Sequence, residues 1–186
     1  MTVKDVIKIT ATMVGREDVV NYIDGVKEGD FSEIEKTVEI MVRLANLVIN
    51  ELACSFIPMK TLESTANVGG KIDYKTLKYN PLEILGAYNG LGDKLAFSVE
   101  NTFVKVEGVN PIIEYSYFPP EYSIDDIIGY SEKDVSARVL AYGLSAEYAI
   151  TQGCFKDAVM WHKRYADGVA LLCEPKNSKI KERVWR

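Results

Sequence analysis

Histidine and cysteine are scarce in this chain of 186 residues, which has one histidine, His162, and three cysteines, Cys54, Cys154 and Cys173. Three thiols, odd in number and far apart, form neither a disulfide framework nor a CxxC pair. A structural zinc site needs four Cys or His ligands at characteristic spacings, and the sequence has none, so no metal and no cofactor is expected. The simplest expectation is that the three thiols are buried and act as small hydrophobes. No apolar run approaches the roughly 20 residues needed to span a bilayer. The first residues, Met1 to Asp5, lack a signal-peptide pattern because charge interrupts each apolar stretch, so a cytosolic protein is expected. With 22 basic and 27 acidic residues the net charge is −5, which disfavours a general nucleic-acid binder.

The usual catalytic signatures are missing as well. A nucleophilic triad would have to use His162, and no G-x-S-x-G elbow accompanies it. His162 falls in the stripe Phe155, Val159, His162, Ala166, Val169 and Cys173, spaced 4, 3, 4, 3 and 4, which predicts a packed helix face. Gly90-Leu91-Gly92 lacks the third glycine of a dinucleotide fingerprint. Gly69-Gly70-Lys71 lacks the upstream glycine of a P-loop, and Ile72 stands where Ser or Thr would bind magnesium. Asp125-Asp126 reads as an exposed loop, and Glu33 with Glu35 as helix-end chemistry. The 11 tyrosines include Tyr115, Tyr117, Tyr122 and Tyr130, which suit sheet packing or a surface that meets another protein.

What is present organises the chain into four parts. Residues 1–54 read as N-terminal helices: one capped by Thr2 with Asp5 in its first turn and stopped by Gly15, one over 17–23, and a long one over about 33–53. Ser32 and Glu35 have the spacing of a capping box, and Ile34, Val38, Met41, Val42, Ala45, Val48, Ile49 and Leu52 follow the helical period. Residues 55–120 read as an inserted β module. Its turns are Asn67 to Gly70 and Asn89 to Asp93, and its strands include a half-buried one at Leu95, Phe97 and Val99 and others at 102–107 and 112–118. Short strands joined by tight turns predict a small antiparallel sheet, with Tyr74, Ile84 and their neighbours completing it. Residues 121–174 read as a return loop and a helical pair, one helix from Ser131 to about Thr151 and one over 155–173. Ala137, Ala141, Gly143 and Ala149 of the first permit close approach of a neighbour. The expected class is α+β: a helical-bundle body with an inserted antiparallel module.

The last part, residues 175–186, reads as an extended basic arm. Residues 174–186 hold five basic and two acidic groups, a net +3, which leaves −8 for residues 1–173. A frayed terminus is the bland reading. Ile180, Val184 and Trp185 favour a docking arm instead, because an exposed Trp is costly without a partner. Extended, the arm spans roughly 35 Å at about 3.3 Å per residue. Such an arm can lie in a groove or add a strand to a free edge.

In this order of elements, and in Arg138–Tyr148 (RVLAYGLSAEY) followed by Gly153–Tyr165 (GCFKDAVMWHKRY), the chain resembles the head–tail connector, or adaptor, proteins of tailed bacteriophages and prophages. The resemblance implies a non-enzymatic virion protein at the head–tail interface, assembled in the host cytoplasm as a ring, usually of twelve copies. Its partners would be the portal protein, further copies of itself and the next tail or stopper component. DNA would pass through the channel without specific binding, and no membrane is implied. Carried onto this chain, the portal arm would comprise Lys179, Ile180, Lys181, Arg183, Val184, Trp185 and Arg186. The turn Asn89, Gly90, Leu91, Gly92 and Asp93 would face the tail. The residues leave two alternatives: a binding module presenting its tyrosine-bearing sheet, and an enzyme that uses His162.

Overall fold

The computed structural model describes residues 1–26, 31–108 and 110–174. Its α+β architecture starts with α1 (Val3–Met13), α2 (Glu17–Ile23) and α3 (Ser32–Ser55). Thr2 and Asp5 form a reciprocal cap: Asp5 N–H donates to the Thr2 hydroxyl at 3.2 Å, and Thr2 N–H to the Asp5 carboxylate at 2.7 Å. Those bonds hold the Asp5 carboxyl below its usual pKa. Gly15, at φ 73°, turns the chain after α1. The Arg16 guanidinium then donates to Asp18 at 2.8 Å and to the Tyr148 hydroxyl at 2.7 Å, tying this corner to the C-terminal helices.

The expected Ser32–Glu35 capping box is not how α3 begins. Phe31 is the N-cap, without a side-chain cap bond, and Ser32 is already helical. Because the helix starts one residue early, Glu35 N–H bonds the Phe31 carbonyl at 2.8 Å, and the Glu35 carboxylate accepts from the Tyr22 hydroxyl at 3.0 Å. The inner face of α3 is otherwise as its periodicity predicts, burying Val38, Met41, Ala45, Val48, Ile49 and Leu52.

The inserted module is two three-stranded antiparallel sheets, where one was expected. Its strands are β1 (Met59–Ser64), β2 (Lys71–Asp73), β3 (Pro81–Tyr88), β4 (Phe97–Val99), β5 (Phe103–Val106) and β6 (Ile112–Tyr117). One sheet has the order β1-β6-β3 and the other β2-β5-β4. Gly108 (φ 119°) and Asn110 (φ 49°) put left-handed backbone between β5 and β6, which carries the chain from one sheet into the other instead of closing a hairpin. Ile72, Val104 and Val106 of one sheet share a core with Ile84, Ala87, Ile113 and Tyr115 of the other. Strand β4 is an edge strand exposed at all three residues, not the half-buried strand that its alternation suggested. Its partner β5 already supplies the buried apolar side chains, and β4 only extends the ladder outward.

A return loop fastens the module to the body. Asn46 of α3 receives the Tyr122 N–H and donates to its carbonyl, both at 2.8 Å, and the Tyr130 hydroxyl donates to the Ile57 carbonyl at 2.7 Å. The first residues of the chain pair with this loop, Val3 N–H on the Asp126 carbonyl and Ile128 N–H on the Met1 carbonyl. The chain then enters α4 (Ala137–Thr151) and α5 (Phe155–Cys173). Helix α4 starts six residues later than Ser131 suggested. Ser131 closes a turn instead, its carbonyl accepting from Asp134 and Val135 N–H at 2.9 and 3.0 Å.

Helix α4 is the centre of the body, burying nine of its residues. Gly143 is what lets its neighbours in: a Cβ there would lie 2.7 Å from Val48 of α3 and 3.1 Å from the Tyr165 ring of α5. Helix α5 meets α4 through Ala158, Trp161, Tyr165 and Val169, with Trp161 stacked on Tyr142 at 5.9 Å. This phase differs from the predicted stripe, of which only Val169 is buried. Trp161 and Tyr165 present more apolar area than Phe155, Val159 and Ala166, and burying them wins.

Gly143→Ala is expected to lower stability in urea unfolding by about 1–3 kcal/mol through overpacking, outweighing the roughly 1 kcal/mol helix-propensity gain. Asp18, held by Arg16, also titrates below its ordinary value. Its contribution is complete above the unfolded carboxyl value of about 3.9 and is lost as pH falls through the lower folded value. Asp18→Asn should therefore flatten the acid limb of a Tm–pH profile, by about 0.5 kcal/mol because the pair is solvent-screened.

Candidate interaction surface

The turn after β3 is built to hold its shape. The Asn89 side-chain oxygen accepts from Leu91 and Asp93 N–H, each at 2.9 Å, and its amide donates to the Asp93 carboxylate at 2.9 Å. Asn89 N–H donates to the Asp93 carbonyl at 2.9 Å, and Gly92 N–H to the Asn89 carbonyl at 3.0 Å. Gly92 takes φ 89°, a conformation that glycine adopts at no steric cost. The outcome is a pre-organised tip on which Leu91 is 90% exposed. Gly90 sits beside it with open space where a Cβ would be. Asn89 to Asp93 is thus a turn between β segments, as its sequence predicted. The second turn, through Gly69 and Gly70, is likewise left-handed, at φ 64° and 78°, with Val68 and Lys71 bridged across it.

Helix α5 carries several exposed apolar side chains. Phe155 is 67% and Val159 71% exposed, and Ala166, Ala170 and Cys173 continue the same line along the helix. Helix α5 therefore has two apolar faces, one buried through Trp161 and Tyr165 and one outward. On α3, Ile40 and Leu47 are 40% and 52% exposed, seven residues apart and so on one side of the helix. Sequence periodicity finds the α5 line but reads it as the packed face, and it misses the α3 line, because each lies beside a face that satisfies the core. The visible signal is excess: apolar residues at 155, 158, 159, 161, 165, 166 and 169 exceed what one buried face can hold.

His162 is exposed on α5, its ring 6.4 Å from that of Tyr165, rather than packed in the core. The cysteines depart from expectation too: Cys54 is half-buried, and Cys154 and Cys173 are exposed. Cys154 sits in the tight α4–α5 turn, and Cys173 follows the rotated phase of α5. The tyrosines turn inward. Tyr115 is fully buried, its hydroxyl donating to Glu63 at 2.7 Å and accepting from Tyr79 N–H at 3.3 Å, while the Tyr79 ring stacks on Tyr117 at 4.3 Å. Burial pushes the Tyr115 and Tyr130 phenols well above their usual pKa. Asp125 and Asp126 lie in an exposed loop, as read from sequence. Lys179, Ile180, Lys181, Arg183, Val184, Trp185 and Arg186 lie outside the described residues. Among the described residues, no three His, Cys, Asp or Glu side chains are grouped to hold a metal ion, and no helix is long and apolar enough to cross a membrane.

Because Leu91 touches little, Leu91→Ser should leave Tm within about 1–2 °C of the parent in differential scanning calorimetry, whereas Asn89→Ala should cost roughly 1–2 kcal/mol by stripping three bonds from the turn. In comparisons with known proteins, no family model and no curated protein matches this chain.

Proposed function

We propose that this protein is a structural connector of a tailed-phage particle, an adaptor that sits as a ring at the head–tail interface and links the portal to the tail. It acts by assembly rather than catalysis and needs no cofactor. The observation that carries the reading is the outward apolar line of α5, headed by Phe155 and Val159, on a helix whose other face is locked to α4 through Trp161 and Tyr165. An apolar face held this rigidly is the mark of a surface completed by another protein. The order of elements supports the same reading, as does the charge division of −8 over residues 1–173 against +3 over residues 174–186. An acidic body repels the phosphates of passing DNA, which suits a channel that must not grip it.

In this reading Lys179, Ile180, Lys181, Arg183, Val184, Trp185 and Arg186 form the arm that grips the portal, with Trp185 as its apolar anchor. The rigid Leu91 tip, within Asn89 to Asp93, meets the next tail or stopper component. The protein assembles in the host cytoplasm and ends in the virion. Deleting residues 176–186 should leave the unfolding transition of the body unchanged and abolish co-sedimentation with the portal protein of the same virus. Undiminished portal binding by the shortened chain would remove the arm assignment.

A further inference from the structure

Two outward lines on different helices share one pattern. On α3, Ile40, Leu47 and Cys54 stand seven residues apart; on α5, Val159, Ala166 and Cys173 stand seven apart. Each line spans four helical turns on one side of its helix, runs from a branched aliphatic residue and ends on a thiol. Ile40, Leu47, Val159, Ala166 and Cys173 are exposed and Cys54 half-buried, so neither line is covered within the chain.

We infer that the α5 line of one copy packs in parallel on the α3 line of the next, so that Val159 meets Ile40, Ala166 meets Leu47 and Cys173 meets Cys54. The inference rests on the ring reading above and names the surfaces that would close that ring. Direction comes from the fold. Leu172, at the end of α5, lines a hollow with Ile57 and Pro58, just past the end of α3, so both helices finish on the same side of the body. A copy rotated about an axis along these helices keeps their direction, which makes the contact parallel and heterologous, the kind that closes into rings.

Charge selects the same partner. Lys156 and Lys163 border the α5 line on one side, so the surface that covers it is expected to carry acidic groups. The outward side of α3 carries Glu33, Glu39 and Glu51 against Lys36 and Arg43. In the stated register Lys163 follows the Val159 layer by four positions, and Glu39 precedes the Ile40 layer by one. Those are the flanking positions that pair across a parallel two-helix seam. Lys36 and Arg43 stand opposite Phe155 and His162, where their aliphatic stems cover the seam while their charges reach water.

A short bis-maleimide, which joins two thiols by adding each across a carbon–carbon double bond, tests this on the full chain in a Cys154→Ser background. The expected product is a ladder extending past the dimer, lost when either Cys54 or Cys173 is changed to Ser. Leu47→Asp and Val159→Asp, both at exposed positions, should remove the ladder with the unfolding transition unchanged. Glu39→Lys or Lys163→Glu alone should weaken self-association by up to about fivefold, and the two together should restore it. A ladder that survives loss of one of the two thiols, or no Cys54–Cys173 adduct at any protein concentration, would overturn the pairing. Rings seen by electron microscopy without the adduct would overturn the pairing and leave the connector reading standing. The adduct without portal binding would support the pairing and count against that reading.

Discussion

The close approach at Gly143 is the constraint on which the rest of the body depends. With no side chain there, Val48 of α3 and Tyr165 of α5 both press onto the α4 backbone. That contact sets the rotation of α5, since Tyr165 and Trp161 must face α4 together. It also has a cost. Among the described residues, the Tyr165 hydroxyl and the Ser145 hydroxyl are buried without a hydrogen-bond partner. The apolar area of two large rings outweighs those losses. Once α5 is held this way, Phe155 and Val159 have nowhere to go but outward, so the packing of the core is what creates the exposed line.

The β module is anchored at its base and free at its tip. Asn46, Tyr122 and Tyr130 fix the return loop to α3 and to the start of β1, and the first residues of the chain pair with the same loop. Farther out, the Glu63–Tyr115–Tyr79 bonds hold the two sheets' connection in place, and Asn89 holds its own turn. Function in the proposed sense asks for this combination. A contact knob such as Leu91 is useful to an assembly only if binding does not have to order it first.

Much of the local structure was legible from residue chemistry. Thr2 with Asp5, Gly15, the α2 span of 17–23, the α5 span of 155–173 and both glycine turns are written in short-range patterns. These patterns work because capping, left-handed glycine and side-chain self-capping involve neighbours within a few positions. The Ser32–Glu35 pair shows the limit of such reading. Of two residues with the right spacing for a cap, Glu35 instead accepts from Tyr22 on the preceding helix, beyond the reach of a capping pattern. Ser131 was misread for a different, local reason: its carbonyl closes a turn on Asp134 and Val135 instead of opening a helix.

What the sequence alone determined is the α+β class, most element boundaries, the acidic body with its basic end, and the lack of disulfide or zinc spacing. Each of these depends on composition or on contacts between near neighbours. Only the tertiary structure decided which of two apolar faces of α5 is buried, that the module is two sheets, and that Cys154, Cys173 and His162 look outward. A helix with two apolar faces is degenerate in one dimension. Its phase is settled by the shape of what it packs against, here Gly143 of α4 beneath the Tyr165 ring and Val139 of α4 against Gly168.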